Sequence, residues 1–223
     1  MVGCKIVFNC AFGNTKNEKL DSQINEEGTR NVLSAAMENQ VNRAVHISSI
    51  ALYGHHPPQE VDEETPTVYS DWSYGDSKLD AEKICQEYMA KSLEVVIAKP
   101  TIIYGLFSQN WTINALKRVQ HGAWENVKGL DGWRNPVYVD DLIKGLLLCA
   151  EVESAKGHSF ILSGDETLTW NEYFQSYNRL AGLPEIKVSS KSRINLKTLL
   201  TLPMRLSLKL GRKYCEKTLF QIY

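Results

Sequence analysis

Arg43-Ala-Val-His-Ile-Ser48 is a short, mostly apolar run that predicts a buried strand in the first half of the chain. The runs Lys5-Ile-Val-Phe-Asn-Cys-Ala11 and Val95-Val-Ile-Ala98 predict two more strands. Apolar residues at helical spacing predict one helix from about residue 21 to 40 and another from residue 71 or 73 to 92. This alternation is typical of βαβ units, so the sequence predicts an α/β fold with a parallel sheet.

Three stretches are expected to meet at one edge of this sheet. Ala11, Ser49 and Pro100 follow the three predicted strands at their carboxyl ends. In parallel sheets, ligands bind in the crevice beyond those ends. The sequence therefore predicts a binding crevice lined by these residues.

Tyr74-Gly-Asp-Ser-Lys78 supplies a candidate acid–base pair beside that crevice. A tyrosine and a lysine four residues apart lie on the same face of a helix, about one turn from each other. A phenol ordinarily titrates near pH ~10, and a neighbouring cation favours its ionised form at lower pH. Ser49 could then hydrogen-bond the substrate oxygen whose proton the tyrosine transfers. Such a group suits oxidation of an alcohol or reduction of a carbonyl.

Composition and charge argue against several classes of function. The 223-residue chain has 25 basic and 26 acidic residues, and a formal net charge of −1 gives no electrostatic case for nucleic-acid binding. Its five cysteines lack the spacing of metal ligands, which predicts no metal site and reduced thiols in a cytoplasmic protein. Neither a signal peptide nor an apolar run of the ~20 residues that span a bilayer is expected.

The regular alternation stops after Gly105, and the remaining residues predict a mixed region. Asp140-Asp141 is expected to stabilise the start of a helix over residues 142–150. Thr169-Trp-Asn-Glu172 is a capping box for a further helix. Residues 194–213 predict a basic amphipathic helix, which could lie on a membrane surface. Packing of that helix on the domain is the favoured interpretation.

Six stretches are not specific when taken one by one. Together, their order and spacing indicate a resemblance to a known family. They are Asn9-Cys-Ala-Phe12, Asn25-Glu-Glu-Gly-Thr-Arg-Asn-Val-Leu33, Ile47-Ser-Ser-Ile-Ala-Leu-Tyr-Gly54, Tyr74-Gly-Asp-Ser-Lys78, Lys99-Pro-Thr-Ile-Ile-Tyr-Gly105 and Tyr138-Val-Asp-Asp141. With them the chain resembles an extended short-chain dehydrogenase/reductase of the NAD-dependent epimerase/dehydratase family. The resemblance implies a Rossmann-like parallel sheet, truncated at its N-terminus. Residues 1–105 would form the cofactor domain with the catalytic residues, and residues 106–223 would supply further elements and a small substrate-binding subdomain.

The resemblance implies NAD or NADP as cofactor and assigns roles to individual residues. Tyr74 would transfer the proton, Lys78 would hold the nicotinamide ribose, and Ser49 would polarise the substrate carbonyl or hydroxyl. Asn25 would support this catalytic group. The cofactor would be lined by Ala11, Phe12, Ser48, Tyr74, Lys78, Pro100 and Thr101. Arg134 would contact the diphosphate of a nucleotide-sugar substrate, and a simple surface arginine is an equal alternative there.

The front of the chain departs from the family pattern. No Gly-x-x-Gly-x-x-Gly turn, which would cradle the cofactor pyrophosphate, precedes Lys5, and the only glycine there is Gly3. By the family's plan the first two βα units, on the order of 60 residues, would be missing. Three interpretations stay open. The sequence is a fragment or has a wrongly placed start, which is favoured, or it is a truncated paralogue without cofactor binding, or a binding protein on the same fold.

Within the enzyme interpretation, two substrate classes compete. The stretch Ser48–Gly54 and Arg134 favour nucleotide sugars, epimerised by transient removal of hydride. The stretch Lys99–Gly105 and a tryptophan-rich lid region favour apolar alcohols and ketones, as in relatives that resemble 3β-hydroxysteroid dehydrogenase and flavonol reductase. That region contains Trp111, Trp124 and Trp133. Ile50-Ala51 offers no acidic pair near the serine, which disfavours dehydration. A homodimer is usual among such relatives.

Overall fold

The computed structural model describes residues 1–13, 15, 17–122, 124, 126–127 and 131–189. The strands in these residues are β1 (Ile6–Asn9), β2 (Arg43–Ile47), β3 (Val95–Pro100), β4 (Ile102–Tyr104), β5 (Asn126–Val127), β6 (Trp133–Arg134), β7 (Pro136–Tyr138), β8 (Ser159–Leu162), β9 (Leu168–Thr169) and β10 (Val188–Ser189). The α-helices are α1 (Glu18–Glu38), α2 (Ser73–Met89), α3 (Asn114–Gln120), α4 (Val139–Glu151) and α5 (Trp170–Leu180). Short 3-10 turns lie at Ile50–Tyr53 and Glu153–Ala155, and a π-helical turn lies at Gln109–Ile113.

Four strands form the main sheet in the order β1-β2-β3-β8, and each neighbouring pair is parallel. Val45 of β2 is level with Phe8 of β1 on one side and with Val96 of β3 on the other. Strands β4 and β7 form a separate parallel pair. The predicted parallel α/β sheet is therefore confirmed.

Helix α1 begins earlier than its apolar spacing predicts. The Asn17 side chain caps it by accepting a hydrogen bond from the Leu20 amide at 3.2 Å. Such a cap satisfies one of the four amide groups that lack a partner at a helix start. The helix consequently starts at Glu18, three residues before the predicted start, and it buries Asn25 in its middle.

Helix α2 packs closely on the 3-10 turn that follows β2. A Cβ atom added to Gly75 would lie 2.8 Å from the carbonyl oxygen of Ala51. That separation is shorter than any tolerated contact, so only glycine permits this approach. The first turn of α2 and the residues after β2 are thereby held together.

The sheet has a core on each face. Helices α1 and α2 cover the face that includes Ala44, Val95 and Ile97, and the buried side chains of these helices complete that cluster. Helix α4 covers the opposite face, where Val45 and Val96 are fully buried. Strand residues alternate between the two faces, as the two-residue period of a strand requires. This double cover explains why the strands are almost uniformly apolar.

The chain divides into two compact units. One comprises Met1–Thr112 and Arg134–Leu168, and the other comprises Ile113–Trp133 and the described residues from Thr169 onward. This division assigns residues 134–168 to the first unit, whereas the sequence interpretation groups all of 106–223 together. The main sheet and every predicted site residue belong to the first unit.

The second unit has its own aromatic core. Trp124 stacks on Phe174 with ring centroids 3.8 Å apart, and α3 and α5 pack together around them. The predicted capping box is confirmed, because Thr169 and Glu172 exchange side-chain and backbone hydrogen bonds at the start of α5. Trp124 is therefore a core residue of this unit rather than part of an open lid.

The described residues contain no helix long and apolar enough to cross a membrane. They also contain no group of three or more side chains that could hold a metal ion. Four of the five cysteines are free thiols, and the fifth, Cys215, lies outside the described residues. The predicted amphipathic helix at residues 194–213 lies outside them too.

A buried arginine ties the end of α4 to β2. One guanidinium nitrogen of Arg43 donates to the carbonyl oxygens of Val152 at 2.6 Å and Ala150 at 3.1 Å. The other contacts the carboxylates of Glu94 at 3.1 Å and Glu153 at 3.3 Å. Carbonyl groups at a helix end lack intrahelical partners, so this side chain serves as the C-terminal cap of α4.

Replacing Arg43 with methionine should lower the free energy of unfolding by roughly 2–4 kcal/mol, because several buried carbonyl groups lose their donor. Glu153→Gln is the matched control. It removes only an exposed partner of the same guanidinium and should change stability little. Urea denaturation of both variants measures the difference, and equal losses would show that the exposed ion pair, not the cap, carries the stabilisation.

Candidate active site

Two buried asparagines hold the loop after β1. The side-chain oxygen of Asn9 accepts from the Ala11 amide at 3.3 Å, and its side-chain nitrogen donates to the Thr29 hydroxyl at 3.3 Å. The side-chain oxygen of Asn25 accepts from the Gly13 amide at 2.9 Å. The loop backbone is therefore fixed from the strand and from α1.

Asn25 also connects this loop to α2. Its side-chain nitrogen donates to the Ser77 hydroxyl at 2.9 Å, and that hydroxyl donates to the carbonyl oxygen of Tyr74 at 2.9 Å. A line of hydrogen bonds thus runs from the β1–α1 loop to the first turn of α2. This placement suits the predicted supporting role of Asn25, and the role itself stays a prediction.

An aromatic cluster surrounds the candidate proton-transfer residue. The half-buried Tyr74 ring meets the edge of Phe12 at a centroid distance of 5.2 Å, and Trp72 lies 5.6 Å away on the other side. His55 stacks on Trp72 at 4.8 Å. Phe12 is 49% exposed. Its ring therefore packs on the tyrosine and still offers an apolar surface to a ligand.

Lys78 lies beneath this cluster with only 5% of its surface exposed. Its ammonium donates to the Ile47 carbonyl oxygen at 2.9 Å and lies 5.9 Å from the centre of the Phe12 ring. Burial lowers the pKa of Lys78. The structure therefore brings Tyr74, Lys78 and Phe12 together at the carboxyl ends of β1 and β2. An ammonium has three N–H donors, so Lys78 can bind ligand oxygens as well as Ile47.

The two serines after β2 have different environments. Ser49 is half-buried, and its hydroxyl oxygen accepts from the Ala51 amide at 3.1 Å, which leaves its O–H hydrogen for an acceptor in the crevice. Ser48 is buried, and its hydroxyl faces the carboxylate of Glu82 in the interior. The substrate-polarising role of Ser49 stays a prediction. A cofactor contact by Ser48 stays a prediction.

The remaining predicted residues lie in the same unit. Ala11 is exposed in the loop after β1, and Pro100 ends β3 as a buried residue. Thr101 donates to the Leu162 carbonyl oxygen through its amide at 3.0 Å and through its hydroxyl at 3.3 Å. Arg134 is half-buried on β6, and burial lowers the pKa of its guanidinium. Their contacts with cofactor or substrate stay predictions.

Sequence reasoning missed a set of polar residues that lie inside the strands and helices beneath the site. They are Asn9, His46, Glu82 and Lys99. A signal for them exists in the sequence, since three of the four interrupt otherwise apolar strands. Polar residues at buried strand positions require partners, and the partners lie on elements distant in sequence.

His46 is the most deeply buried of these groups. The side-chain nitrogen of Asn9 lies 3.2 Å from its Nδ1 atom. Because an amide nitrogen donates, Nδ1 accepts and the ring proton sits on Nε2. Burial, with a smaller contribution from the positive charge of Lys78, lowers the pKa of His46 to about 3. The imidazole is therefore neutral at physiological pH.

A family model described as the NAD dependent epimerase/dehydratase family matches residues 1–162. The chain belongs to this family. It is a family of enzymes, and the resemblance seen in the six sequence stretches is thereby confirmed.

Curated relatives share part of this sequence. Over 126 residues, 54% of the chain, it is 31% identical to the N-acetyl-alpha-D-glucosaminyl-diphospho-ditrans,octacis-undecaprenol 4-epimerase of Escherichia coli O157:H7. Over 156 residues, 68% of the chain, it is 26% identical to the 4-hydroxy-2-methyl-3-oxo-4-farnesyl-3,4-dihydroquinoline-1-oxide ketoreductase of Stigmatella aurantiaca. The chain spans 37% and 46% of the length of these two proteins.

Solved structures of the family share the fold. The UDP-glucuronic acid 4-epimerase from Bacillus cereus, in complex with NAD, superposes with a TM-score of 0.71 at 20% identity over 83% of this chain and 63% of that one. A double mutant of dTDP-glucose 4,6-dehydratase from Streptomyces venezuelae gives 0.70 at 19% identity over 85% and 62%. The Rossmann-like character of the sheet is therefore confirmed.

The neutral His46 should make the protein less stable as the pH falls. Between about pH 6.5 and 3 the unfolded chain binds a proton at this residue that the folded chain does not, so stability declines toward acid by up to about 1.4 kcal/mol per pH unit. Unfolding free energies measured from pH 7 to pH 5 should therefore fall more steeply for the wild type than for His46→Gln. As a control, replacement of the exposed His56 by glutamine should leave the pH dependence of the unfolding free energy as it is in the wild type. The same pH dependence in the wild type and both variants would contradict a buried neutral imidazole at His46.

Proposed function

We propose that the chain carries the proton-transfer side of an NAD(P)-dependent active site that oxidises and reduces a secondary hydroxyl of a nucleotide sugar. The observation that carries the proposal is the cluster of Tyr74, Lys78 and Phe12. A half-buried phenol and a buried ammonium border the same aromatic ring, at the sheet edge where α/β proteins bind ligands.

The cluster fits the nicotinamide end of the cofactor. Lys78 offers N–H donors to ribose hydroxyls, the exposed Phe12 ring offers an apolar surface, and the fixed loop backbone keeps both in place. Tyr74 would contact the same ribose. The cofactor would be lined further by Ala11, Ser48, Pro100 and Thr101. These contacts all concern the nicotinamide end of the cofactor.

Proton transfer would be the task of the protein groups. When bound, NAD(P) takes up the hydride from the carbinol carbon of the substrate and can return it. The Tyr74 phenolate accepts the hydroxyl proton as the carbonyl forms, and it gives the proton back on reduction. Lys78 lies one turn from Tyr74 along α2 and would hold the ribose, and Ser49 donates a hydrogen bond to the substrate oxygen. Protonation of the substrate oxygen by Tyr74 after reduction at the opposite face would complete an epimerisation without net redox change.

The relatives support the substrate class. The curated epimerase acts on a diphosphate-linked sugar by its name, and the structural neighbours are named for UDP- and dTDP-linked sugars. Arg134 would bind the diphosphate, to which a guanidinium donates in bidentate geometry. Ile50 and Ala51 supply no acid or base for dehydration, so epimerisation is favoured over loss of water.

Carbonyl reduction of an apolar substrate is the second candidate. The ketoreductase relative supports it, because its named substrate carries a farnesyl chain. The same residues would act, with the proton passing from Tyr74 to the carbonyl oxygen in a single direction. The net consumption of NADPH or NADH by an apolar ketone would distinguish this function from epimerisation.

Cofactor binding tests the nicotinamide end directly. The chain should bind NAD weakly, and saturation-transfer NMR should show contact with the nicotinamide and its ribose rather than the adenine. Lys78→Met should abolish that transfer because the ribose loses its donor. Lys83→Met, an exposed change on the same helix, is the matched control and should leave it intact. Micromolar affinity that survives Lys78→Met would contradict this assignment.

Turnover tests the chemistry. Tyr74→Phe should lower the rate of C4 epimerisation of a UDP-sugar in the presence of NAD by roughly 10²–10⁴-fold, because proton transfer loses its catalyst. Tyr69→Phe removes an exposed phenol just before the same helix and should leave the rate unchanged. NMR of the anomeric protons of the sugar follows the epimerisation catalysed by each variant. Equal rates for Tyr74→Phe and the wild type would exclude Tyr74 as the proton-transfer group.

A further inference from the structure

A pair of buried charges lies beneath the candidate site. The Glu82 Oε2 and Lys99 Nζ atoms are 3.3 Å apart, and their side chains are 6% and 5% exposed. Glu82 is on α2, one turn after Lys78, and Lys99 is near the end of β3. Taking charges out of water costs several kcal/mol per ion, and apolar side chains would fill the same space at lower cost. The pair therefore needs an explanation beyond packing.

Lys99 is held from two sides. Its ammonium faces Glu82, and it also lies 5.5 Å from the centre of the Tyr53 ring. Tyr53 is fixed in turn by donating its hydroxyl to the Asp62 carbonyl oxygen at 3.0 Å. Burial raises the pKa of Tyr53 to about 12, which keeps the phenol neutral. Lys99 thus presents a fixed positive charge to Glu82.

Glu82 also faces the lysine of the site. Residues four apart on a helix have Cβ atoms about 5–6 Å apart, and both Lys78 and Glu82 are on the buried face of α2. Burial raises the pKa of Glu82, while the Ser48 hydroxyl, Lys99 and Lys78 all act to lower it. The carboxylate therefore depends on these partners to stay ionised.

Several titratable groups face Lys78. They are Glu82 and Cys85 on α2, Cys10 after β1, and His46 on β2, and Tyr74 lies one turn before Lys78 on α2. Burial lowers the pKa of Lys78, and Cys10, Cys85 and Glu82 oppose that change. A thiol is mostly uncharged at neutral pH, and His46 is neutral there. Glu82 is accordingly the carboxyl group in this set, and its ionised form supplies negative charge to the ammonium.

We propose that Glu82 is a positioning residue of the site, whose buried carboxylate keeps the Lys78 ammonium charged and seated on the Ile47 carbonyl. Lys99 serves this arrangement by keeping Glu82 ionised. The proposal deepens the proposed function, since it assigns Glu82 to the lysine that would hold the nicotinamide ribose. Glu82 itself touches neither substrate nor cofactor.

The competing explanation is a purely structural ion pair between α2 and β3. Breaking a buried pair at one end destabilises a protein strongly, and replacing both partners by neutral groups is often nearly harmless. A structural pair would therefore affect stability alone. A positioning residue would also change the titration of Lys78, and this difference separates the two explanations.

The test measures the titration midpoint of Lys78 by NMR of ¹³C-labelled lysine side chains in the 223-residue chain without cofactor. Four variants are compared with the wild type. Glu82→Gln removes the charge, and Glu82→Asp retains it. Glu82→Gln with Lys99→Met removes the whole pair and provides a folded protein if the single variant unfolds. Glu87→Gln is the control, because Glu87 is exposed on the same helix and pairs with Arg30.

Glu82→Gln and the double variant should each lower the Lys78 midpoint by roughly one pH unit, the smaller end of what a nearby opposite charge produces. The double variant should be more stable than Glu82→Gln, but its Lys78 titration midpoint should stay as low as in Glu82→Gln. Glu82→Asp should keep the midpoint near that of the wild type, and Glu87→Gln should not change it.

A Lys78 midpoint that is the same in the wild type, the double variant and Glu87→Gln would overturn the proposal and leave a structural ion pair. Because no cofactor or substrate takes part, this result is independent of the proposed function. Failure of NAD binding or of turnover would refute that function while the lysine titration still decides the role of Glu82.

Discussion

The polar groups on the buried face of α2 are the constraint on which the structure of the site depends. Ser77, Lys78 and Glu82 are withdrawn from water, where an unsatisfied polar group costs about 1–3 kcal/mol. Each has its partner on a different element, namely α1, the end of β2 and β3. Three separate partners fix the rotation and the height of one helix against the sheet. The hydrogen bonds and the ion pair that position the half-buried Tyr74 are consequently made by other residues of α2, and not by the Tyr74 phenol.

Much of the fold could be predicted because burial imposes a period on the sequence. The strands β1, β2 and β3 lie within or close to the three predicted apolar runs, and the main sheet that they form is parallel as predicted. The helix ends were harder to predict, because the Asn17 cap lies in a polar stretch that has no apolar periodicity. The pairings of Asn9 with His46 and of other interior polar groups could not be predicted. They depend on which residues of neighbouring strands are level, and sequence spacing along one strand does not contain that information.

The candidate site shows the same limit. Spacing along a helix was enough to place Tyr74 and Lys78 together, because the helical repeat is fixed. The two serines after β2 received separate roles from the family resemblance, and their environments could not be predicted from spacing. Ser49 is the half-buried cap of a turn, and the buried Ser48 faces an interior carboxylate. That carboxylate belongs to α2, so the environment of Ser48 depends on how α2 packs on the strand ends.

The contact between Gly75 and the Ala51 carbonyl has a consequence for how the sequence can vary. The distance between the 3-10 turn after β2 and the first turn of α2 is determined by two stretches of backbone, with no side chain between them. Exposed side chains on either segment can therefore be exchanged without moving the two backbones apart. Exchange of Gly75 itself would force the two segments to separate.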